Sequence, residues 1–110
     1  MEKVDLFSTE AFVKEDKVRI KITLANAAKW SPTEIDTYEM SIEEYLDFLE
    51  KGLEHLVDET VEIKSGVLRV EFLKTITKLI FNDVYTFTMK KKDLEGFIHS
   101  ELEKLYIQDF

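Results

Sequence analysis

Twice along the chain the apolar spacing changes from every second residue to every third or fourth, with nothing separating the two patterns. "TYEMSIEEYLDFLEKGLEHL" (37–56) and "TFTMKKKDLEGFIHSELEKL" (86–105) each lead from a strand end straight into an amphipathic helix. Thr37, Met40, Phe48, Leu53, Glu54 and Leu56 recur 49 residues on as Thr86, Met89, Phe97, Leu102, Glu103 and Leu105. A chain that runs through several strands, then a helix, and then does so again cannot wind a Rossmann-type sheet. That fold needs each strand to alternate with a crossover helix.

The strands before each junction carry one apolar face. "KVRIKITLA" (17–25) alternates, with Val18, Ile20, Ile22 and Leu24 on one side and Arg19, Lys21 and Thr23 on the other. Residues 3–13 form a weaker strand joined to it by "KEDK". A strand over 35–40 stops at Ser41, which with Glu44 forms a capping box that opens the first helix. In the second half "TVEIKSGVLRVEFLK" predicts a hairpin turning at Ser65-Gly66, and "TITKLIFNDVYTFTM" two strands around Asn82-Asp83. The last helix runs from about Lys91 to Tyr106.

Half-buried strands suit an antiparallel sheet with one face open to water. The expectation is an α+β fold in one domain of 110 residues. It is a two-layer sandwich: a mainly antiparallel sheet of about six strands, with two helices side by side on its apolar face. The order is βββα, then strands, then α. Residues 1–57 and 58–110 are candidate repeat units, since "VRIKI" (18–22) falls near "LRVEF" (68–72) at nearly the same offset. Periodicity alone, which forces Leu and Phe into matching slots, is the competing explanation.

On a helical wheel Ile42, Tyr45, Leu46, Leu49, Leu53 and Leu56 form one stripe, as do Leu94, Ile98, Leu102 and Leu105. Phe48 and Phe97 stand off the stripes on matching flanks, so the two rings are expected to meet at a seam between the helices. A homodimer or partner contact is the alternative. Glu43, Glu44, Asp47, Glu50 and Glu54 occupy the opposite face of the first helix, with only Lys51 to balance them. Lys90-Lys91-Lys92 at the start of the second helix opposes the helix dipole and reads as a solvated patch.

The net charge of −8 is uneven: seven Lys/Arg against thirteen Asp/Glu in residues 1–57, eight against ten in 58–110. Such a chain repels a phosphate backbone, so nucleic acid is not an expected partner. The absence of cysteine excludes disulfides, thiolate zinc sites and cysteine nucleophiles. No signal-peptide pattern follows Met1, and no apolar run approaches membrane-span length, so a cytoplasmic protein without membrane contact is expected.

Catalytic constellations do not stand out. His55 and His99 lie on polar or flanking helix positions, and no serine sits in a nucleophile elbow. Glu95, His99 and Glu103 share helical spacing but lack a specific metal-ligand set, and three glycines make no phosphate loop. No catalytic residue, metal or cofactor is assigned. The sequence therefore points to a small acidic module that works by binding a protein partner, basic in character, as an inhibitor, antidote or adaptor. Its candidate contacts are Glu43, Glu44, Asp47, Glu50 and Glu54, with Trp30 and Phe48 as apolar anchors. Two alternatives stand beside it. One is a small-molecule or enzymatic pocket near 26–34 with Tyr38, Tyr45 and Tyr85 as polar tips. The other is self-assembly, most simply a homodimer.

Overall fold

The computed structural model describes residues 2–3, 6–24 and 33–108. Trp30, and with it most of the 26–34 segment, lies outside the described residues. The chain forms β1 (Glu2–Lys3), β2 (Leu6–Phe12), a 3-10 turn (Val13–Glu15), β3 (Lys17–Leu24), β4 (Thr33–Ser41) and α1 (Ile42–Glu54). It continues through β5 (Val61–Ser65), β6 (Leu68–Phe72), β7 (Ile76–Phe81), β8 (Tyr85–Lys90) and α2 (Lys91–Gln108). Both strand-to-helix junctions are as abrupt as the sequence implies.

The fold is α+β, but its strands do not make one sheet of about six. Strands β2-β3-β4 form an antiparallel meander, and β5-β6-β7-β8 form another, to whose β8 edge the two-residue β1 adds in parallel. Alternation reports which face of a strand is buried and is silent on which strand lies beside it. Each meander ends in a strand that turns directly into a helix, β4 into α1 and β8 into α2, and the outer edge of β8 is taken by Glu2 and Lys3. The 49-residue offset also fails upstream of the junctions. By pairing, β3 lies next to β4, whereas β6 is separated from β8 by β7, so "VRIKI" and "LRVEF" hold different places in their sheets.

Local chemistry explains the element ends. The Ser41 Oγ accepts from the Glu44 backbone N–H at 3.1 Å, and the Glu44 carboxylate accepts from the Ser41 N–H at 3.2 Å. This closes the capping box. Asn82 and Asp83 both take left-handed backbone angles between β7 and β8, a conformation that short polar side chains tolerate. Gly66, with φ of 58°, turns β5 into β6.

One apolar core draws on both sheets and both helices: Val18, Ile20 and Ile22 from β3, Val70 and Phe72 from β6, Leu79 and Phe81 from β7, Leu49 from α1, Leu94 and Ile98 from α2. Phe7 of β2 joins the sheets, its ring lying 5.1 Å from Phe81, 5.0 Å from Phe87 and 5.4 Å from Phe97. Edge-on aromatic contacts of this kind add about 0.5–1.5 kcal/mol each beyond area burial. Helix α1 packs on β3, β4 and β5, so it bridges the two sheets, while α2 lies on β7 and β8.

The predicted Phe48–Phe97 seam is replaced by another contact. Phe48 is 1 % exposed with its ring 5.8 Å from Tyr45, while Phe97 turns to Phe7. The helices meet instead at buried Gly52, where an added Cβ would lie 2.6 Å from Ile98 Cδ1. Glycine in a helix interior costs about 1 kcal/mol relative to alanine, and here it admits the neighbouring helix.

Candidate functional site

Helix α1 turns its acidic face toward an open groove of about 710 Å³. Glu43, Glu44, Asp47 and Glu50 line it, and Ile42 and Leu46 add apolar surface to the lining. Two further residues come from turns remote in sequence. Asp16, in a left-handed conformation before β3, is one; its carbonyl accepts from the Ile42 N–H at 3.4 Å. Gly66 of the β5–β6 turn is the other, and a Cβ there would lie 2.9 Å from Glu44 Oε2. Sequence reasoning missed Asp16 because its proximity depends on how the β2–β3 connection docks under α1. The left-handed turn signal at "EDK" was the only local trace.

The acids are not equivalent. Asp47 Oδ2 accepts from Ser65 Oγ at 2.7 Å and pairs with Lys51 Nζ at 3.1 Å. The serine hydrogen bond first, and then Lys51, hold its carboxyl below the usual carboxylate range. Glu44 is committed to the capping box. Glu43 and Glu50 are exposed and project from the helix. Glu54 is exposed as well, but stands one turn beyond the groove lining. Phe48, offered as an apolar anchor, is spent in the core, because its flank faces Tyr45 and the strands.

A second polar cluster lies inside the fold. Glu101 of α2 is 4 % exposed. Its Oε1 accepts hydrogen bonds from Tyr45 Oη at 2.5 Å and from Thr9 Oγ1, and its Oε2 faces Lys104 Nζ at 2.9 Å. Burial first, and then the charge of Glu101, push the Tyr45 phenol well above its ordinary value. The sequence held one signal for this residue. Glu101 stands three after Ile98 and four before Leu105, which is the middle of the apolar stripe.

The three tyrosines proposed as polar tips divide between two places. Tyr45 joins Glu101, while Tyr38 Oη donates to Asp36 Oδ2 at 2.8 Å with its ring 6.3 Å from that of Tyr85. The Tyr38 hydrogen bond, followed by that from the Thr37 N–H, lowers the Asp36 carboxyl. The lysine run is less solvated than expected, since Lys91 Nζ donates to the Asp58 carbonyl at 2.6 Å. His55 Nδ1 lies 2.8 Å from Asp58 Oδ2, with its ring 6.1 Å from Phe72, and His99 is exposed. Among the described residues no group of three or more His, Cys, Asp or Glu is arranged to hold a metal ion. No helix among them is long and apolar enough to cross a membrane.

Comparison with known proteins returned no matching family model, no matching curated protein and no matching solved structure.

Proposed function

We propose that the protein acts by binding a basic segment of a protein partner across the α1 groove, in the manner of an inhibitor, antidote or adaptor. The supporting observation is the convergence of Asp16, Glu43, Glu44, Asp47 and Glu50 around one opening beside Ile42 and Leu46. Carboxylates flanking half-covered apolar side chains suit a Lys- or Arg-bearing strand or helix whose alkyl stems rest on the apolar residues. Charges of this kind govern association rate and salt dependence more than ultimate affinity. A cytoplasmic setting, with neither nucleic acid nor membrane as partner, belongs to the same proposal and is supported by the net charge of −8 and the lack of cysteine.

Two architectural readings accompany it. A shortest dimension of 22 Å has room for a helix layer on a sheet layer. Descent from a duplicated unit is supported by the recurrence of an antiparallel meander, of three strands and then of four, whose last strand leads into a helix. The self-assembly alternative would rest on an exposed strand edge, since Phe48 lies in the core.

The test uses a tagged pull-down at low and moderate salt, followed by binding measurements on the captured partner. Glu43→Lys and Glu50→Lys are the informative variants, since both side chains are exposed and neither carries a structural hydrogen bond described above. Loss of salt-sensitive binding in the double variant, with an unchanged circular dichroism spectrum, is the expected result. Unchanged affinity would remove the acidic groove from consideration.

A further inference from the structure

We infer that the cavity above Glu101 is a binding site for a small primary amine in its ammonium form. This cavity, about 130 Å³, is distinct from the acidic groove and lies between β2, β3 and the two helices. Thr9, Glu10, Tyr45, Glu101 and Lys104 supply its polar lining, and Ala11, Val18 and Leu105 supply its apolar lining.

The hydrogen-bond directions decide what such a site accepts. Thr9 and Tyr45 both send their hydroxyl protons to the same oxygen, Glu101 Oε1. Apart from Lys104, whose ammonium also lines the cavity, the lone pairs of the two hydroxyls and the remaining capacity of the carboxylate leave a lining of acceptors. The nearest ammonium is Lys104, 2.9 Å from Oε2, on a side chain 61 % exposed against 5 % for its partner. An ammonium thus already occupies the outer oxygen of a buried carboxylate, held there by a flexible solvent-side tether. Lys104 reaches this oxygen from an exposed, flexible side chain that can turn back to solvent, so a ligand ammonium can take its place. Anions would meet Glu101 and the neighbouring Glu10, which also lines the opening. A divalent metal would find a single carboxylate where it needs several oxygen ligands. The apolar lining and the volume suit a chain of two or three carbons behind the ammonium group.

Ethylammonium chloride, titrated into the isotopically labelled full chain, tests the inference. Sodium chloride and tetramethylammonium chloride at matched ionic strength are the controls, because tetramethylammonium carries charge but no N–H donor. Saturable shifts at Thr9, Tyr45 and Glu101 with ethylammonium alone are expected. Glu101→Gln keeps volume and an acceptor oxygen while removing the charge, and should weaken binding by about tenfold or more, as loss of a charge-assisted hydrogen bond implies. Lys104→Ala removes the competing ammonium from an exposed position and should tighten binding severalfold. If ethylammonium behaves like the two controls, or shifts only Glu43, Asp47 and Glu50, the inference is wrong. Should Glu101→Gln fail to fold, Lys104→Ala decides alone: unchanged or weakened affinity overturns the site.

Discussion

Superposed with an offset of 49 residues, the two helices put Tyr45 opposite Leu94, Phe48 opposite Phe97, Leu49 opposite Ile98 and Gly52 opposite Glu101. The first three pairs are interchangeable in kind: each buries apolar bulk against the sheets. The fourth is not. At this one slot α1 withdraws its side chain so that Ile98 can approach, whereas α2 extends a carboxylate that collects hydroxyls from β2 and α1. Two helices with the same apolar period are therefore fixed by different means, one by close approach and the other by a buried hydrogen-bonded anchor. Their starts differ as well. Ser41 closes a capping box ahead of α1, while Lys90 stands in the corresponding place ahead of α2 with the wrong charge for the dipole.

The largest effect is expected from Glu101→Ala. It strands the Tyr45 and Thr9 hydroxyls and empties their surroundings, at a cost of about 3 kcal/mol. Urea unfolding would show this as a lower midpoint at unchanged slope. A loss under about 1 kcal/mol would mean that packing holds both helices alike.

Gly52→Val should cost about 2 kcal/mol by overpacking against Ile98. Trimming Ile98 to alanine in the same chain should return part of that loss, a coupling that a double-mutant cycle reads directly. Additive losses would place the helix contact elsewhere.

Ser41→Ala should cost about 1 kcal/mol through the lost cap, whereas Lys90→Ser, creating a Ser-x-x-Asp sequence with Asp93, should gain a few tenths. Opposite signs in thermal unfolding would sharpen the contrast between the junctions; equal signs would break it.

The smallest expectation concerns pH and is one of direction. Because burial raises the Tyr45 phenol in the folded chain, its stabilising contribution is fully present below the unfolded value of about 10. It is lost as pH rises through the higher folded value. Tyr45→Phe should lessen the alkaline loss of stability and remove a late-titrating group from the tyrosinate absorbance, leaving Tyr38, whose phenol burial also raises.

Much of this could be read from residue order. Alternation located Val18, Ile20 and Ile22 in the core, and Ser41 with Glu44 fixed the start of α1 to the residue. Asn82-Asp83 marked a turn, because these side chains tolerate left-handed backbone angles. The division into two sheets was hidden, since edge partners are chosen by tertiary docking and leave no period in the chain. Glu101 drew no assignment from the sequence, because the hydroxyls that converge on it come from β2 and α1 and leave no mark on the order of residues in α2. The acids of α1 were legible as a face but not as a groove. The wall that makes it one comes from Asp16 and Gly66, far away in sequence.

The aromatic contacts of Phe7 carry a consequence for how the chain is made. They link residue 7 to residues 81, 87 and 97, separations of 74 to 90 positions. High contact order of this sort slows folding, because a long loop must close before its contacts reward it. On a ribosome the β2-β3-β4 meander emerges with an apolar face that α1 covers in part, while the Phe7 end waits for β7, β8 and α2. Until synthesis is nearly finished that end is open to other nascent chains. The N-terminal sheet is thus first to be made and among the last to be sealed.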